Sequence, residues 1–125
     1  MSQFDDIEKA INERVRKINA AALVAVSDSI VRRSPVKTGM FKGSWFFAIG
    51  APSKQSEGEI GRDSLGAMRI EVNPMKVGQV GYFVNNLPYA LPLEFGSSDQ
   101  APNGVVRLSV ANWQKFVSRA ARVVK

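Results

Sequence analysis

Residues 3 to 33 contain no glycine and no proline, and they carry one apolar stripe from end to end. Phe4, Ile7, Ile11, Val15, Ile18, Ala22, Val26 and Ile30 recur at spacings of three and four, which is the helical period. Ser2 is placed to cap the start, and Asp5, Asp6 and Glu8 suit the positive end of a helix. Arg32 and Arg33 suit the negative end, and Ser34-Pro35 stops the run because proline disfavours helical geometry in the residue before it. A helix of about 30 residues at ~1.5 Å each spans about 45 Å. A compact body of this chain length has a radius of gyration near ~14 Å and is about 35 Å across. The helix is therefore expected to overhang its own domain, with an apolar stripe longer than one subunit easily covers. The alternative is a break near Ala20-Ala21-Ala22 that folds it into two shorter helices, although alanine favours helix.

The rest of the chain reads as one domain, residues 1–125, with 45% hydrophobic and 22% charged residues. Ser44 to Ile49 reads as a strand with Trp45, Phe47 and Ile49 toward the core. Met68 to Val72 alternates and reads as a second strand. Val80 to Asn85 reads as a third, joined to the second by a short turn at Asn73-Pro74-Met75-Lys76, so these two should pair antiparallel. Pro88 to Gly96 reads as a short helical turn or an irregular crossover. Val106, Val110, Trp113, Val117, Ala120 and Val124 predict a second amphipathic helix over about 105–124. The expected fold class is α+β: a small antiparallel sheet of about three strands, packed by a long N-terminal helix and a C-terminal helix. Residues 51–66 are rich in Gly and Ser, and a loop of that length in a compact domain is usually functional or disordered. They read as a flexible arm that orders against a neighbour, or as a tolerated surface insertion.

The chemistry open to the chain is narrow. With no cysteine and no histidine it lacks thiolate ligands, cysteine nucleophiles, the usual general base and the usual partner of a catalytic serine. Ser34 with Lys37 is the nearest approach to a Ser–Lys pair, and nothing else supports it. Asp5 with Asp6 is explained by the helix start, and Glu57 with Glu59 by a solvated loop. No glycine-rich loop follows a strand in a phosphate-cradling pattern. No catalytic residue, cofactor or metal is expected. No apolar run reaches the length of a membrane helix, and the N-terminus lacks the pattern of a signal peptide. The net charge of +6 sits at the two ends of the chain. Residues 9–42 hold eight basic groups against Glu13 and Asp28, and residues 104–125 hold Arg107, Lys115, Arg119, Arg122 and Lys125 against no acid. Such a pattern permits nucleic-acid binding and equally the docking of acidic protein surfaces.

Two stretches carry a resemblance. Arg33–Trp45 reads RSPVKTGMFKGSW, and Val84–Arg107 reads VNNLPYALPLEFGSSDQAPNGVVR. Together they resemble the neck and tail-completion (head–tail joining) proteins of long-tailed bacteriophages, the family of the lambda tail-completion protein, over about residues 14–117. The matching positions are Pro35, Thr38, Gly39 and Trp45 in the first stretch. In the second they are Asn86, Pro88, Tyr89, Ala90, Glu94, Gly96, Ser98, Ala101, Pro102 and Gly104. Read physically, these are mainly fold-keeping residues: Gly39 and Gly96 permit tight turns, the prolines stiffen an irregular segment, and a buried Glu94 needs a partner such as Arg107 or Arg33.

The resemblance implies a structural virion protein of the neck, completing the tail and joining it to the head without catalysis. Its partners would be copies of itself in a homo-oligomeric ring, a hexamer rather than a dodecamer, and the adjacent neck and tail proteins. DNA passing through the channel is a further implied contact, and the protein would be made in the host cytoplasm. The helices would make lateral contacts through Lys115, Arg119 and Arg122, and the arm would reach the next ring through Ser53, Gln55, Ile60 and Leu65. The alternatives are a tail terminator and a small basic DNA-binding protein.

Overall fold

The computed structural model describes residues 2–34, 39–55, 58, 61–87, 90, 94 and 106–124. The long helix α1 runs Gln3–Arg33 without a break, and Ala20 to Ala22 lie within it. Ser2 and Asp5 form a reciprocal capping box at its start, each side chain bonding the other's backbone N–H at 3.2 Å. The chain continues through a 3-10 turn at Lys42–Ser44 into strand β1, Phe46–Ile49. Helix α2 is Ser64–Val72, strand β2 is Gly81–Val84, helix α3 is Val106–Ala111 and helix α4 is Trp113–Val123. The architecture is α+β, with a long N-terminal helix, C-terminal helices and a small antiparallel sheet.

The sheet has two strands among the described residues, β1 paired with β2 from Phe46–Val84 to Ile49–Gly81. The strand expected at Met68–Val72 is helix. Asp63 caps it, its carboxylate accepting from Gly66 N–H at 2.9 Å. Leu65, Met68 and Val72 then turn inward at helical spacing, while Ile70 is 76% exposed. Alternation would have put Ile70 in the core. The expected pairing of 68–72 with 80–85 is replaced by that of β1 with β2. The single C-terminal helix expected over 105–124 is divided at Asn112. Ser109 is fully buried against Ser29, with their hydroxyls 2.8 Å apart, and this fixes which face of α3 points inward. That face continues into the Trp113, Phe116 and Ala120 stripe of α4, and Val110, expected to point inward, is left exposed.

The core is built where α2, β1 and the second half of α1 meet: Val26, Ile30, Val31, Phe41, Trp45, Phe47, Met68, Val72, Met75 and Leu87. Trp113 and Phe116 pack against it from α4. Trp45 and Phe47 are buried as expected, and Ile49 packs on the same cluster half-buried. Phe47 meets Phe83 across the sheet with ring centroids 4.9 Å apart.

The C-terminal half of α1 thus supplies one wall of the core. Residues 2–15 lie outside it, all exposed. Arg16 and Arg14 tie α1 to the body, their guanidiniums bonding the carbonyls of Asn73 and Ala121 at 3.0 and 3.2 Å. Beyond that point the helix projects about 20 Å.

Candidate functional site: the uncovered helix and the basic face

The stripe of α1 is buried at Ala22, Val26 and Ile30 and open at Phe4, Ile7, Ile11 and Val15. Phe4 is 84% exposed. Four large apolar side chains in register on one helix face form an uncovered patch of the kind that marks an interaction site. The overhang expected from chain length is therefore present as a bare apolar rod with three carboxylates at its tip.

A groove of about 290 Å³ runs between the second half of α1 and α4, lined by Ala21, Ala25, Phe116, Ala120 and Val123, with Asp28, Arg32 and Arg119 beside them. Val123 is 78% exposed. Asp28 is already engaged by Arg32 in an ion pair of 2.5 Å. Lys115, Arg119 and Arg122 are all exposed on α4, so the three basic residues expected at a contact surface do share an accessible helix.

Most motif residues within the described part hold the fold. Trp45 Nε1 donates to Ser34 Oγ at 2.9 Å, and Ser34 Oγ donates to the Ile30 carbonyl at 2.7 Å, so the first motif closes the end of α1. Gly39 has φ +80°, the left-handed conformation that favours glycine. Asn86 donates to the carbonyls of Ser53 and Gln55 at 3.0 and 3.1 Å. Its neighbour Asn85 donates to the Phe41 carbonyl at 3.0 Å and so ties the second motif to the first. Glu94 accepts from the backbone N–H groups of Val106 and Arg107 at 2.8 and 2.9 Å and from Arg107 Nε at 3.2 Å. Arg107 is thus the partner, while Arg33 donates to Ser29 Oγ instead. Ala90 is half-buried against the core. Pro35, Thr38, Pro88, Tyr89, Gly96, Ser98, Ala101, Pro102, Gly104 and Ile60 lie outside the described residues.

The segment expected to be an arm is bonded to the body at Ser53, Gln55, Gly58 and Arg62. Besides the Asn86 contacts, Gly58 N–H donates to Ser44 Oγ at 3.1 Å. Arg62 donates to the Gly43 and Trp45 carbonyls at 3.2 and 2.7 Å and lies 4.3 Å from the Phe46 ring centroid. The segment ends at Ser64, where α2 begins, and Leu65 packs against the core rather than outward. Sequence reasoning missed Arg62, Asn85 and Asp63. Only Asp63 left a legible signal, a capping residue two positions before the 65, 68, 72 spacing begins.

The buried serines are all engaged, Ser27 with Leu23 O, Ser34 with Ile30 O, Ser44 with Met40 O and Ser64 with Lys42 O. Among the described residues no three potential ligands gather to hold a metal ion, and no helix is long and apolar enough to cross a membrane. On α1, Arg16 donates to both carboxylate oxygens of Glu13, at 2.8 and 3.0 Å, and this bonding holds the Glu13 carboxyl below the usual carboxylate range. The reciprocal bond raises Arg16 above its ordinary value. Compared with family models, with curated proteins and with solved structures, the chain matches none.

Proposed function

We propose that this protein is a structural subunit of the bacteriophage neck, completing the tail and joining it to the head as one member of a homo-oligomeric ring, six-fold in preference to twelve. The observation that carries this reading is the uncovered first half of α1, where Phe4, Ile7, Ile11 and Val15 continue a stripe that the same chain buries further on. A subunit built this way is completed by its neighbours. The two motif stretches, which resemble the neck family, supply the rest of the argument. The protein acts by contact and not by catalysis, a reading supported by the absence of cysteine and histidine and by the engagement of every buried serine named above. On this reading it is made in the host cytoplasm and ends in the virion.

The test is electron microscopy of a lysate from the parent phage with the gene deleted. Filled heads beside separate tails of normal length are the expected result. Tails of uncontrolled length would assign the protein to tail termination instead, and intact infectious particles would overturn the reading.

A second reading, binding of DNA, is favoured by the exposed Lys115, Arg119 and Arg122 on one helix. It predicts affinity for duplex DNA that falls steeply between low and moderate salt. The ring reading predicts little such affinity at physiological salt.

A further inference from the structure

The tip of α1 and the α1–α4 groove are complementary surfaces that one chain cannot bring together. Both lie on a single continuous helix, so residues 4–15 cannot fold back onto Ala21 and Ala25. The groove is apolar, with room for a large side chain, and the tip presents Phe4 and Ile7. Charge matches as well. The first eight residues carry Asp5, Asp6 and Glu8 and no Lys or Arg. Beside the groove stand Arg32 and Arg119, with Arg122 one turn further along α4. The one carboxylate in the groove, Asp28, is already paired with Arg32.

We infer that the tip of α1 in one copy lies in the α1–α4 groove of the next, with Phe4 and Ile7 in the groove and Glu8, which flanks them on the helix, toward Arg119 and Arg122. This deepens the ring-subunit reading and rests on it. Tip and groove are different surfaces, so the contact is head-to-tail, the kind that closes into a ring. A pairing of stripe on stripe would be two-fold and would stop at a dimer.

The chain has no cysteine, which makes the contact directly readable. Ile7→Cys and Val123→Cys, both at exposed positions, are purified separately, mixed and mildly oxidised. The expected result is a disulfide heterodimer in the mixture, and a ladder of multimers from a chain carrying both changes. Glu8→Lys should lower the yield about fivefold, and Arg119→Glu with Arg122→Glu in the other chain should restore it. Three outcomes overturn the contact: dimers from Ile7→Cys alone, equal cross-linking when exposed Ile70→Cys replaces Ile7→Cys, or no disulfide at millimolar protein. None of these bears on the deletion phenotype, so the contact and the neck assignment fail separately.

Discussion

The indole N–H of Trp45 donates to Ser34 Oγ at 2.9 Å, and that hydroxyl is already donating to the carbonyl of Ile30. One side chain therefore closes the last turn of α1 and satisfies the buried tryptophan eleven residues on. Ser34→Ala should cost about 1–3 kcal/mol, because it leaves a buried indole N–H without its acceptor. Trp45→Phe removes the donor and should cost a similar amount. The double change should cost less than the two summed. Urea unfolding of the four proteins measures the coupling, and full additivity would show that the bond contributes nothing.

Glu94 holds the first two backbone N–H groups of α3 and the side chain of Arg107. Its side chain is 17% exposed, so it is shielded enough for charge-assisted bonds to count. Glu94→Ala should lower stability by about 2 kcal/mol, with Glu94→Gln intermediate because it keeps an acceptor. Amide exchange at Val106 and Arg107 should speed up in both variants.

Gly58 is packed against backbone. A Cβ there would stand 1.9 Å from the Gly43 carbonyl oxygen. Gly58→Ala should destabilise the fold by about 1–3 kcal/mol through overpacking, read by thermal unfolding. Glycine is needed here for closeness, whereas Gly50 is needed for its φ of +87°, with open space around it.

Ile7 is half exposed on the projecting helix and contributes little to its own subunit. Ile7→Asp should change the unfolding free energy of the isolated chain by less than about 0.5 kcal/mol. If the neck reading holds, it should also block neck assembly in the phage. A large loss of stability would mean that α1 is covered within the monomer.

The Glu13 carboxyl is held low by its bonds to Arg16. Its unfolded value lies near ~4.3, so whatever it contributes is present above that pH and is lost as pH falls through the lower folded value. Arg16→Met should move the Glu13 titration seen by NMR upward toward the ordinary carboxylate value.

The helices were legible in the sequence to different degrees. α1 was clear because eight apolar positions keep one period and nothing interrupts them. α2 was misread because Met68, Ile70 and Val72 alternate while Leu65, Met68 and Val72 also fit a helix, and only burial decides between the two. The inward turn of Ser109 in place of Val110 rests on its meeting Ser29, a contact across eighty positions that no local pattern reveals. The same holds for Arg62, whose carbonyl partners Gly43 and Trp45 lie before β1, at least seventeen positions back along the chain. The bare stripe was legible from length alone. The groove was not, since it exists only when α4 lies against α1.

The unbroken course of α1 through Ala20, Ala21 and Ala22 makes it a shaft that fixes angle as well as reach. Each residue turns the helix by about 100°. One alanine inserted between Lys17 and Ala22 would leave the body folded on its own half and swing Phe4 and Ile7 about a quarter-turn off their line. Inserting eleven would bring them back into phase, about 16 Å further out. The register of an assembly made through this helix is thus set by counting residues along the shaft.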